Sequence, residues 1–588
     1  MKILGIGWHI CSTVSLFVDD KITYIASEER FTRVKNDDSF PINALKDLLT
    51  FNKLKLDEID YFAIASTNTP GAEELIKSFS QWSVKDYLKQ QNEYWFPKIY
   101  KNKNLNELKV MKGSYKILDP FKKKLIKEFG YKNIDFKFAK NRKYFFSKIL
   151  NVPIEKIIEV DHHTCHAHYS YFASSFKNEK ILSLTLDGYG DGVNATVGIF
   201  DKNGKYKRVF NTQNCNLGRL YRYMTLVLGM KPNEHEYKVM GLAPYGKSKY
   251  SKDILKIFES TMQVKGINFR YKVKPKDYYF WFKKKLDGYR FDNIAYALQQ
   301  YVENIISKWV YNAIKKFKIR TLVYSGGVSL NVKANGKLLE LKNLKKIFVA
   351  GAGGDESISS GAALYVATNK KIISKKNLHN LYLGPSINFK EEKNIIKKFR
   401  AKRYKVIKIK SQKLIAKKLL DGKVLARCVD RMEFGPRALG NRSILADPKN
   451  ASVVNKINET IKNRDFWMPF APIVLDKFAK KYLLNVDKTF SPHMTVAYKT
   501  KKIASYHMAA GLHPKDKTAR AQILTKKINP KLYELINEFS KLTGRGCMLN
   551  TSFNLHGYPI VNNLTEAFYV MNNSSLDGLI TDRYLILK

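Results

Sequence analysis

The chain has 588 residues, of which 44% are hydrophobic, and this length exceeds what one core usually supports, so we expect a globular protein of two or more domains. Its five cysteines lie far apart without a CxxC pair, which argues against a disulfide framework and a cysteine zinc site and fits a reducing cytoplasm. The net charge of +52 would attract nucleic acid, phosphates or an anionic membrane surface. A compositional bias also explains this charge, because the lysines are spread along the whole chain, and both interpretations stay open.

The first predicted unit, KILGIGWHICSTVSLFVDDKITYIAS from Lys2, runs strand, polar loop, strand, turn and strand. Its apolar start resembles a secretory signal, but Trp8 and His9 interrupt the run and no cleavage site follows, so we expect folded strands there. The segment KILSLTLDGYGDGVNATVGIFDKNGKYKRVF from Lys180 repeats this design and contains the hairpin signal DKNG. The repeat predicts an α/β fold with two related halves that face each other across a cleft, which is the plan of the actin-like ATPases.

Two later segments, TLVYSGGVSLNVKANGKLLE and KIFVAGAGGDESISSGAALYVA, change from an apolar strand to a helix through a glycine-rich turn. Small residues at such a turn let backbone amides approach a phosphate or a nucleoside closely. Glycine pairs also serve packing alone. The presence of two such turns, the second carrying Asp355, favours the ligand-binding interpretation.

An inserted segment and a domain boundary are predicted from composition. Residues 81–148 are rich in lysine and aromatic residues, which predicts either an amphipathic helical insert or a surface that stacks nucleobases. After the segment LHNLYLGPSINF the alternation of helices and strands restarts, so we expect domains at residues 1–383 and 384–588. No run of about 18 apolar residues occurs, so we expect no membrane span.

The segment DHHTCHAHYSYF, from Asp161, concentrates four histidines at a predicted helix start. His162 and His166 are four residues apart and share one helical face, which is a common way to offer two imidazoles to one metal ion. Asp187 and Asp355 are candidates for the oxygen ligands that such a metal would still need. The spacing fits core or solvated histidines equally well, and His163 and His168 point elsewhere.

Eight motifs in order resemble the NodU/CmcH-type O-carbamoyltransferase family. They are SEERFTRVKNDDSFP, VDHHTCHAH, LDGYGDG, EYKVMGLAPYG, SGGVSLNVKAN, FGPRALGNRSILADP, NRDFWMPFAPIVL and LNTSFNLHGYPIV. The resemblance extends from the first strand to the C-terminus and leaves chiefly the insert unmatched.

The resemblance implies an N-terminal domain of the actin-like ATPase (ASKHA) superfamily, similar to the Kae-like proteins that transfer threonylcarbamoyl groups to tRNA. It implies a C-terminal domain similar to YrdC, in which carbamoyl phosphate and ATP, with Mg²⁺, give a carbamoyl adenylate. The N-terminal domain would then move the carbamoyl group to a hydroxyl of a sugar, a glycan or a natural product. Because the adenylate is labile, we expect the two domains to pack face to face around an open route.

Carried over motif by motif, the resemblance implies that one metal ion binds to four side chains. These ligands would be His162, His166, Asp187 and Asp355. The metal implied is iron(II), although imidazoles and carboxylates also suit manganese or zinc. It would act as a Lewis acid on the carbamoyl oxygen or the adenylate phosphate.

Small and neutral residues would surround the nucleotide in the N-terminal domain. These are Gly188, Gly190 and Gly192 near a phosphate, and Gly326, Gly327 and Asn331 near the nucleoside. Glu236 and Lys238 occupy the family's acidic-x-Lys motif, so Glu236 is either a general base for the acceptor hydroxyl or part of a salt bridge. His9 stands where the family has a His-Asp pair, but Ile10 follows it, so we treat His9 as a candidate for contact with the substrate.

The C-terminal chemistry joins two anions and therefore needs fixed cations, for which arginine is well suited because its planar fork binds oxygens in pairs. The expected contacts with carbamoyl phosphate and ATP are Arg437, Arg442, Lys462, Arg464, Arg520, Asn550, Ser552 and Asn554. Many relatives have an arginine directly before PFAP. Met468 stands there in this chain, so one phosphate contact is missing or supplied elsewhere.

Two alternatives to a cytoplasmic carbamoyltransferase stay open. A tRNA-modifying enzyme of the threonylcarbamoyl type would share the N-terminal fold and would bind its substrate with strong salt dependence. A non-catalytic nucleotide-binding module would bind ATP but would leave the cations of the second domain unexplained. We expect small-molecule substrates, namely ATP, carbamoyl phosphate and a hydroxyl-bearing acceptor, and no nucleic-acid partner.

Overall fold

The structure is a computed structural model that describes residues 1–68, 82–114, 142–372, 380–462 and 464–588. The described part is a mixed α/β fold whose strands are numbered in chain order. These strands are β1 (Lys2–Gly7), β2 (Thr13–Val18), β3 (Lys21–Ser27), β4 (Tyr61–Ala65), β5 (Ile157–Val160), β6 (Ile181–Gly190), β7 (Val193–Phe200), β8 (Tyr206–Thr212), β9 (Met262–Lys265), β10 (Asn268–Tyr271), β11 (Thr321–Ser325), β12 (Lys346–Val349), β13 (Lys405–Lys408), β14 (Leu425–Cys428), β15 (Arg442–Ala446), β16 (Ala471–Leu475), β17 (Gln522–Leu524), β18 (Cys547–Ser552), β19 (Gly578–Ile580) and β20 (Tyr584–Leu587).

Helices cover the sheets and fill the space between them. Their bounds are Glu29–Thr32, Ile42–Asn52, Val84–Lys89, Phe96–Tyr100, Glu107–Val110, Arg142–Leu150, His162–Ala173, Leu217–Val227, Glu236–Leu242, Ser248–Glu259, Phe280–Lys285, Phe291–Phe317, Val332–Leu338, Ile358–Asn369, Phe389–Ala401, Gln412–Leu420, Ser452–Ile457, Asp476–Tyr482, Lys502–His507, Pro530–Thr543 and Leu564–Asn572. Among the described residues, none of these helices combines the length and the apolar character needed to cross a bilayer.

Two five-stranded sheets share one strand order. The first is β3-β2-β1-β4-β5 and the second is β8-β7-β6-β11-β12. In each sheet the first three strands of the chain pair antiparallel, and the last two add in parallel next to the first. The repeat predicted from the two strand-loop-strand segments is therefore confirmed.

Two buried helices lie between these sheets and bring the candidate ligands together. The helix Ile358–Asn369 packs on β1 and β4 of the first sheet, while His162–Ala173 packs on β6 and β11 of the second. The helices also pack on each other, and a Cβ on Gly361 would lie 2.0 Å from the carbonyl oxygen of Cys165. Only glycine permits this approach. The crossing places the start of one helix beside the histidines of the other.

The third sheet has eight strands in the order β13-β20-β19-β14-β15-β18-β16-β17, and it packs directly on the N-terminal part. Tyr482 and Tyr498 are buried in the same core as Leu184 and Leu322 of the second sheet. The backbone amide of Ala497 also donates to the carbonyl of Val332 at 2.9 Å. The two parts therefore meet face to face, as expected.

The predicted boundary at residue 383 falls between the helices Ile358–Asn369 and Phe389–Ala401, and it stays a prediction. The predicted insert, residues 81–148, is described at 82–114 and from 142 onward. Short helices occupy both of these parts, and Gln90–Trp95 forms a π-helical turn between two of them. The remainder of the insert lies outside the described residues.

Candidate metal centre and anion site

The helix His162–Ala173 presents two imidazoles from its first turns. Its N-cap is Asp161, whose side chain accepts from the backbone amide of Thr164 at 2.8 Å and so satisfies a free donor of the first turn. The four-residue spacing puts the rings of His162 and His166 on one face, with centroids 4.7 Å apart and Nε2 atoms 3.1 Å apart. Both imidazoles are completely buried.

Two carboxylates complete the cluster. Asp187, in β6, brings Oδ2 to 3.4 Å from Nε2 of His162 and 3.1 Å from Nε2 of His166. Asp355, in the turn after β12, brings Oδ1 to 3.4 Å and 3.6 Å from the same two nitrogens. One ligand atom from each of the four residues lies within 4.8 Å of the others. The structure therefore brings together all four predicted metal ligands.

The donor set of this cluster fits a divalent cation. Oδ1 of Asp355 is buried and has no hydrogen-bond partner among the described residues, so a cation would satisfy it. Burial alone would raise the pKa of Asp187, but hydrogen bonds from the two histidines hold this pKa well below its usual range. Burial would also raise the pKa of Asp355, but His9 and the same two histidines hold it well below its usual range, so both carboxylates are ionised. Two imidazole nitrogens and two carboxylate oxygens suit iron(II), manganese(II) and zinc alike.

The other two histidines of the segment belong to the core. His163 contacts the hydroxyl of Thr185 at 2.7 Å and the carbonyl of Val193 at 3.1 Å, and burial lowers the pKa of His163 to about 3. His168 contacts the carbonyl of Thr164 at 2.9 Å, and burial lowers its pKa to about 4. Both side chains are neutral and point away from the cluster, as expected.

The first glycine loop supports the cluster closely. The amide of Gly188 donates to Oδ1 of Asp187 at 2.6 Å. A Cβ on Gly190 would lie 2.2 Å from Cδ2 of His162. Gly192 has a φ of 80° and lies outside the cleft lining. These positions orient Asp187 and admit His162, while the predicted phosphate contact stays a prediction.

The second glycine turn also serves the metal ligands. The amide of Gly327 donates to Oδ2 of Asp187 at 3.1 Å. Gly326 has a φ of 96° and lies outside the cleft lining, and a Cβ there would lie 2.4 Å from the carbonyl oxygen of Leu186. Asn331 lines the cleft and caps the helix Val332–Leu338. Of the residues assigned to the nucleoside, Gly327 and Asn331 therefore face the cleft.

His9 lies beside a metal ligand. Its Nδ1 is 2.7 Å from Oδ2 of Asp355, and its ring centroid is 5.4 Å from that of His162. Because His9 also lines the cleft, contact with the substrate stays a prediction. The position indicates that His9 orients Asp355 in addition.

Glu236 and Lys238 have different surroundings although both line the cleft. Burial raises the pKa of Glu236 to about 7, while its Oε1 accepts from the backbone amide of Asn233 at 2.6 Å. Lys238 instead pairs with Asp465 of the C-terminal part at 3.0 Å. The salt bridge considered for this motif thus belongs to Lys238, and Glu236 has a pKa suited to proton transfer near neutral pH.

Cations gather in the C-terminal wall of the cleft. Arg437, Arg464 and Arg520 line one recess together with Ser552. Burial and the neighbouring Arg437 lower the pKa of Arg464 to about 10. Burial and the other two arginines also hold the pKa of Arg520 well below its usual range. Because like charges lie close together here and no described carboxylate lines the recess, the recess suits an anion.

Lys462, also in this wall, is nearly fully buried beside the recess. Its Nζ donates to the carbonyl oxygen of Asn554 at 2.9 Å, to Oδ1 of Asn554 at 2.6 Å and to the hydroxyl of Ser552 at 3.2 Å. Burial lowers the pKa of Lys462 strongly. Lys462 therefore orders the loop that carries Ser552 and Asn554, and contact with a ligand stays a prediction.

Arg442 does not reach the cleft, which corrects its assignment as an anion ligand. Its side chain is completely buried, and its guanidinium donates to the carbonyls of Asn562 and Asp430 at 3.2 Å each and to that of Val429. Arg442 therefore connects backbone segments to one another.

Asn550 faces the recess, but its Nδ2 donates to the carbonyl of Ala438 at 2.9 Å.

Both ends belong to one cleft of about 1380 Å³. Its lining includes Asp187 and Asp355 at one end and Arg437, Arg464 and Arg520 at the other. The insert also lines this cleft, through the aromatic side chains of Trp82, Tyr87 and Trp95. These three aromatics were not predicted individually, because composition alone does not show which residues of a helical insert face a cleft.

Sequence reasoning also missed two residues next to the cluster. Oγ of Ser66 lies 3.1 Å from Nδ1 of His162. The carboxylate of Asp191 accepts from the backbone amide of His162 at 2.7 Å. Asp191 is the second acid of the LDGYGDG motif, which was an available signal, whereas nothing in the sequence distinguishes Ser66.

Comparison with known proteins now identifies the family. A family model described as "Carbamoyltransferase N-terminus" matches residues 2–364, and one described as "Carbamoyltransferase C-terminus" matches residues 416–588. The chain belongs to the carbamoyltransferase family. As a member of this family, the chain is a transferase that acts on small molecules, and the resemblance expected from its motifs is confirmed.

Several relatives support this membership. An uncharacterized protein of Methanocaldococcus jannaschii is 30% identical over 627 residues and covers 100% of both chains. Nodulation protein NolNO of Sinorhizobium fredii is 28% identical, covering 97% of this chain and 78% of its own. The 3'-hydroxymethylcephem-O-carbamoyltransferase of Streptomyces clavuligerus is 31% identical over 25% of this chain and 27% of its own. Among solved structures, T. kodakarensis HypF matches at 12% identity with a TM-score of 0.37, covering 64% of this chain and 49% of that chain.

Proposed function

We propose that this transferase is an ATP-dependent O-carbamoyltransferase that carries out two reactions at opposite ends of one cleft. The observation that carries the proposal is a cluster of four candidate metal ligands at one end of that cleft and a separate group of arginines at the other. We assign the two sheets of equal strand order to an actin-like, Kae-like domain and the eight-stranded sheet to a YrdC-like domain.

The arginine recess is the proposed site of adenylate formation. Carbamoyl phosphate and water give carbamate and phosphate, and the carbamate oxygen then attacks the α-phosphorus of ATP and releases pyrophosphate. Every participant is an anion, so the reaction needs fixed cations at the α-phosphate and the carboxylate. Arg437, Arg464 and Arg520 are available for this purpose because they line the recess and form no salt bridge with any described carboxylate.

The cluster of four candidate metal ligands is the proposed site of carbamoyl transfer. His162, His166, Asp187 and Asp355 would hold the metal, for which the resemblance implies iron(II). When bound, the metal supplies Lewis acidity that polarises the carbamoyl carbonyl. The acceptor oxygen forms a bond to the carbamoyl carbon, the bond from that carbon to the AMP oxygen breaks, and AMP leaves.

Glu236 is the proposed base for the acceptor hydroxyl. Its pKa of about 7 allows a substantial ionised fraction at neutral pH, while its carboxylate remains basic enough to accept a proton. The acceptor itself is proposed to be a sugar, a glycan or a natural product. Trp82, Tyr87 and Trp95 offer flat apolar faces against which such a molecule can pack.

The test measures both reactions separately on the purified full-length protein. With ATP, Mg²⁺ and carbamoyl phosphate, we expect release of pyrophosphate that depends on carbamoyl phosphate. With a panel of sugars and metabolites added, we expect AMP release and a product heavier by one carbamoyl group. ATP binding without pyrophosphate release would instead favour a non-catalytic module, and carbamoylation of tRNA with steep salt dependence would favour the tRNA-modifying alternative.

A further inference from the structure

Ser66 has a backbone conformation that serine rarely adopts. It follows β4 (Tyr61–Ala65) directly, its φ is 67°, and its side chain is nearly fully buried. The left-handed region favours glycine, and other residues persist there only when their surroundings hold them. The Ser66 hydroxyl lies 3.1 Å from Nδ1 of His162. A strained serine whose hydroxyl contacts a metal ligand points to a role for that hydroxyl.

Two charged side chains, the buried Arg142 and the half-buried Asp191, hold the backbone on either side of Ser66. Arg142 is 3% exposed, and its guanidinium donates to the carbonyl of Ser66 and to that of Ala65 at 2.9 Å. The carboxylate of Asp191 accepts from the amides of Thr67 at 2.9 Å and Asn68 at 2.8 Å. The same carboxylate accepts from the amide of His162 at 2.7 Å. This network fixes the loop and the start of the histidine helix relative to each other.

We propose that Ser66 is a positioning residue that sets the tautomer and the ring orientation of His162 for metal binding. The inference rests on the metal centre of the proposed function. When Nδ1 of His162 carries the proton and donates to Oγ of Ser66, the lone pair of Nε2 faces Asp187 and Asp355. Metal-bound histidines depend on such partners, whose loss typically weakens binding about 10- to 100-fold.

The two imidazoles of the cluster differ in this respect. Nδ1 of His166 is buried and has no hydrogen-bond partner within the described part of the chain. His166 is held instead through its backbone, whose carbonyl accepts from the hydroxyl of Ser325 at 2.8 Å. We therefore expect the Ser66 hydroxyl to be the main side-chain control on imidazole orientation in this centre.

The test replaces Ser66 by glycine, which removes the hydroxyl but suits the backbone conformation. The probe is Zn²⁺ alone, with its dissociation constant measured by competition with a chromophoric chelator. We expect Ser66→Gly to weaken Zn²⁺ binding about 10- to 100-fold, while the Tm of the metal-free protein stays the same or rises. The matched control is Ser170→Ala on the histidine helix, because within the described chain the Ser170 hydroxyl donates only to the carbonyl of Ala167, at 3.0 Å.

A second measurement separates orientation from stability. In the Zn²⁺-loaded protein, we expect the Nδ1 proton of His162 to exchange with solvent at least about 10-fold faster in Ser66→Gly than in wild type, as measured by ¹⁵N-imidazole NMR. Unchanged Zn²⁺ affinity in Ser66→Gly overturns this inference and leaves the metal centre standing. Failure of the wild-type protein to bind Zn²⁺, Mn²⁺ or Fe²⁺ overturns the metal centre and this inference together.

Discussion

The two ends of the cleft differ in the charged side chains that line them. At the N-terminal end, Asp187 and Asp355 face His162 and His166, and one ligand atom from each of the four lies within 4.8 Å of the others. At the C-terminal end, three arginines lie close together and pair with no carboxylate among the described residues. Burial lowers the pKa of all three, and arginine neighbours lower the pKa of Arg464 and Arg520 further. The first end has the side chains to bind a cation. At the second end the arginines repel one another, and a bound anion would relieve this repulsion.

This difference supports the proposal that the two ends carry out separate reactions. A site for forming an adenylate has to attract highly charged substrates, whereas a site for transferring a neutral carbamoyl group has to orient a carbonyl and an acceptor hydroxyl. One cleft of about 1380 Å³ joins the ends, so under the proposed mechanism the intermediate would pass between them inside the protein. Variants at each end should therefore affect one reaction and spare the other.

The largest expected effect comes from Asp355→Asn. Removing one of the two carboxylate charges weakens metal binding, and because Lewis-acid assistance contributes several kcal/mol, we expect carbamoyl transfer to fall about 1000-fold. Pyrophosphate release that depends on carbamoyl phosphate should persist. Asp253→Asn, on an exposed helix face, is the control, and among the described residues the Asp253 side chain pairs only with Lys256. Equal loss of both reactions in Asp355→Asn would contradict the separation of the two ends.

The next effect concerns Glu236 and the pH. Only the ionised carboxylate accepts a proton, so with a pKa of about 7 the transfer rate should rise about 10-fold between pH 6 and pH 8 and level off above that. In Glu236→Gln we expect a loss of about 100-fold at pH 8 and the disappearance of this rise. The measurement is the rate of carbamoylated product formation against pH. A rise that survives in the glutamine variant would assign the proton transfer to another group.

A smaller effect is expected from Arg520→Gln in the recess. Loss of a charge-assisted hydrogen bond to the ligand should slow pyrophosphate release about 30-fold. Because Arg520 is repelled by Arg437 and Arg464, the Tm of the ligand-free variant should stay the same or increase. Calorimetry and the pyrophosphate assay test the two statements independently. A lower Tm accompanying the slower reaction would indicate a structural role.

The smallest effect on catalysis is expected from Arg442→Gln, although this arginine is in the same motif as Arg437. Its contacts are backbone carbonyls, so the variant should lose about 2 kcal/mol of unfolding free energy, and its folded fraction should keep the wild-type KM for ATP. Denaturant unfolding measures the first quantity and steady-state kinetics the second. A raised KM at unchanged stability would return Arg442 to the anion site.

Some residues of the two sites could be predicted from the sequence and others could not. His162 and His166 were predictable because their relation is local to one helix, and Asp187 and Asp355 because glycine-rich turns follow their strands. Arg437 and Arg442 lie in the same sequence motif. Their tertiary surroundings alone show that Arg437 lines the recess, whereas Arg442 donates to backbone carbonyls. The repeat of the first three strands in each of the two sheets was likewise predictable, because the repeated segments have the same alternation of strands and loops, whereas the places of the remaining two strands were not predicted.

Ser66 could not be predicted, because its significance depends on a backbone dihedral and on the distant residues Arg142 and Asp191. Glu236 was singled out by its motif, but its pKa depends on burial, which the sequence does not specify. The role considered for His9 illustrates the same limit. Its place after β1 was predictable, whereas its contact with Asp355 depends on how the two halves of the N-terminal part meet.

The face-to-face packing of the two parts has a practical consequence for protein engineering. Tyr482 and Tyr498 are buried in the core built around the second sheet, and the amide of Ala497 completes a hydrogen bond to Val332. Cutting the chain near residue 383 would uncover apolar surface on both fragments, and neither would serve as an independent module. We therefore expect that exchanging the whole N-terminal or C-terminal part between relatives would not change acceptor preference cleanly. Substituting individual residues that line the cleft is the better strategy.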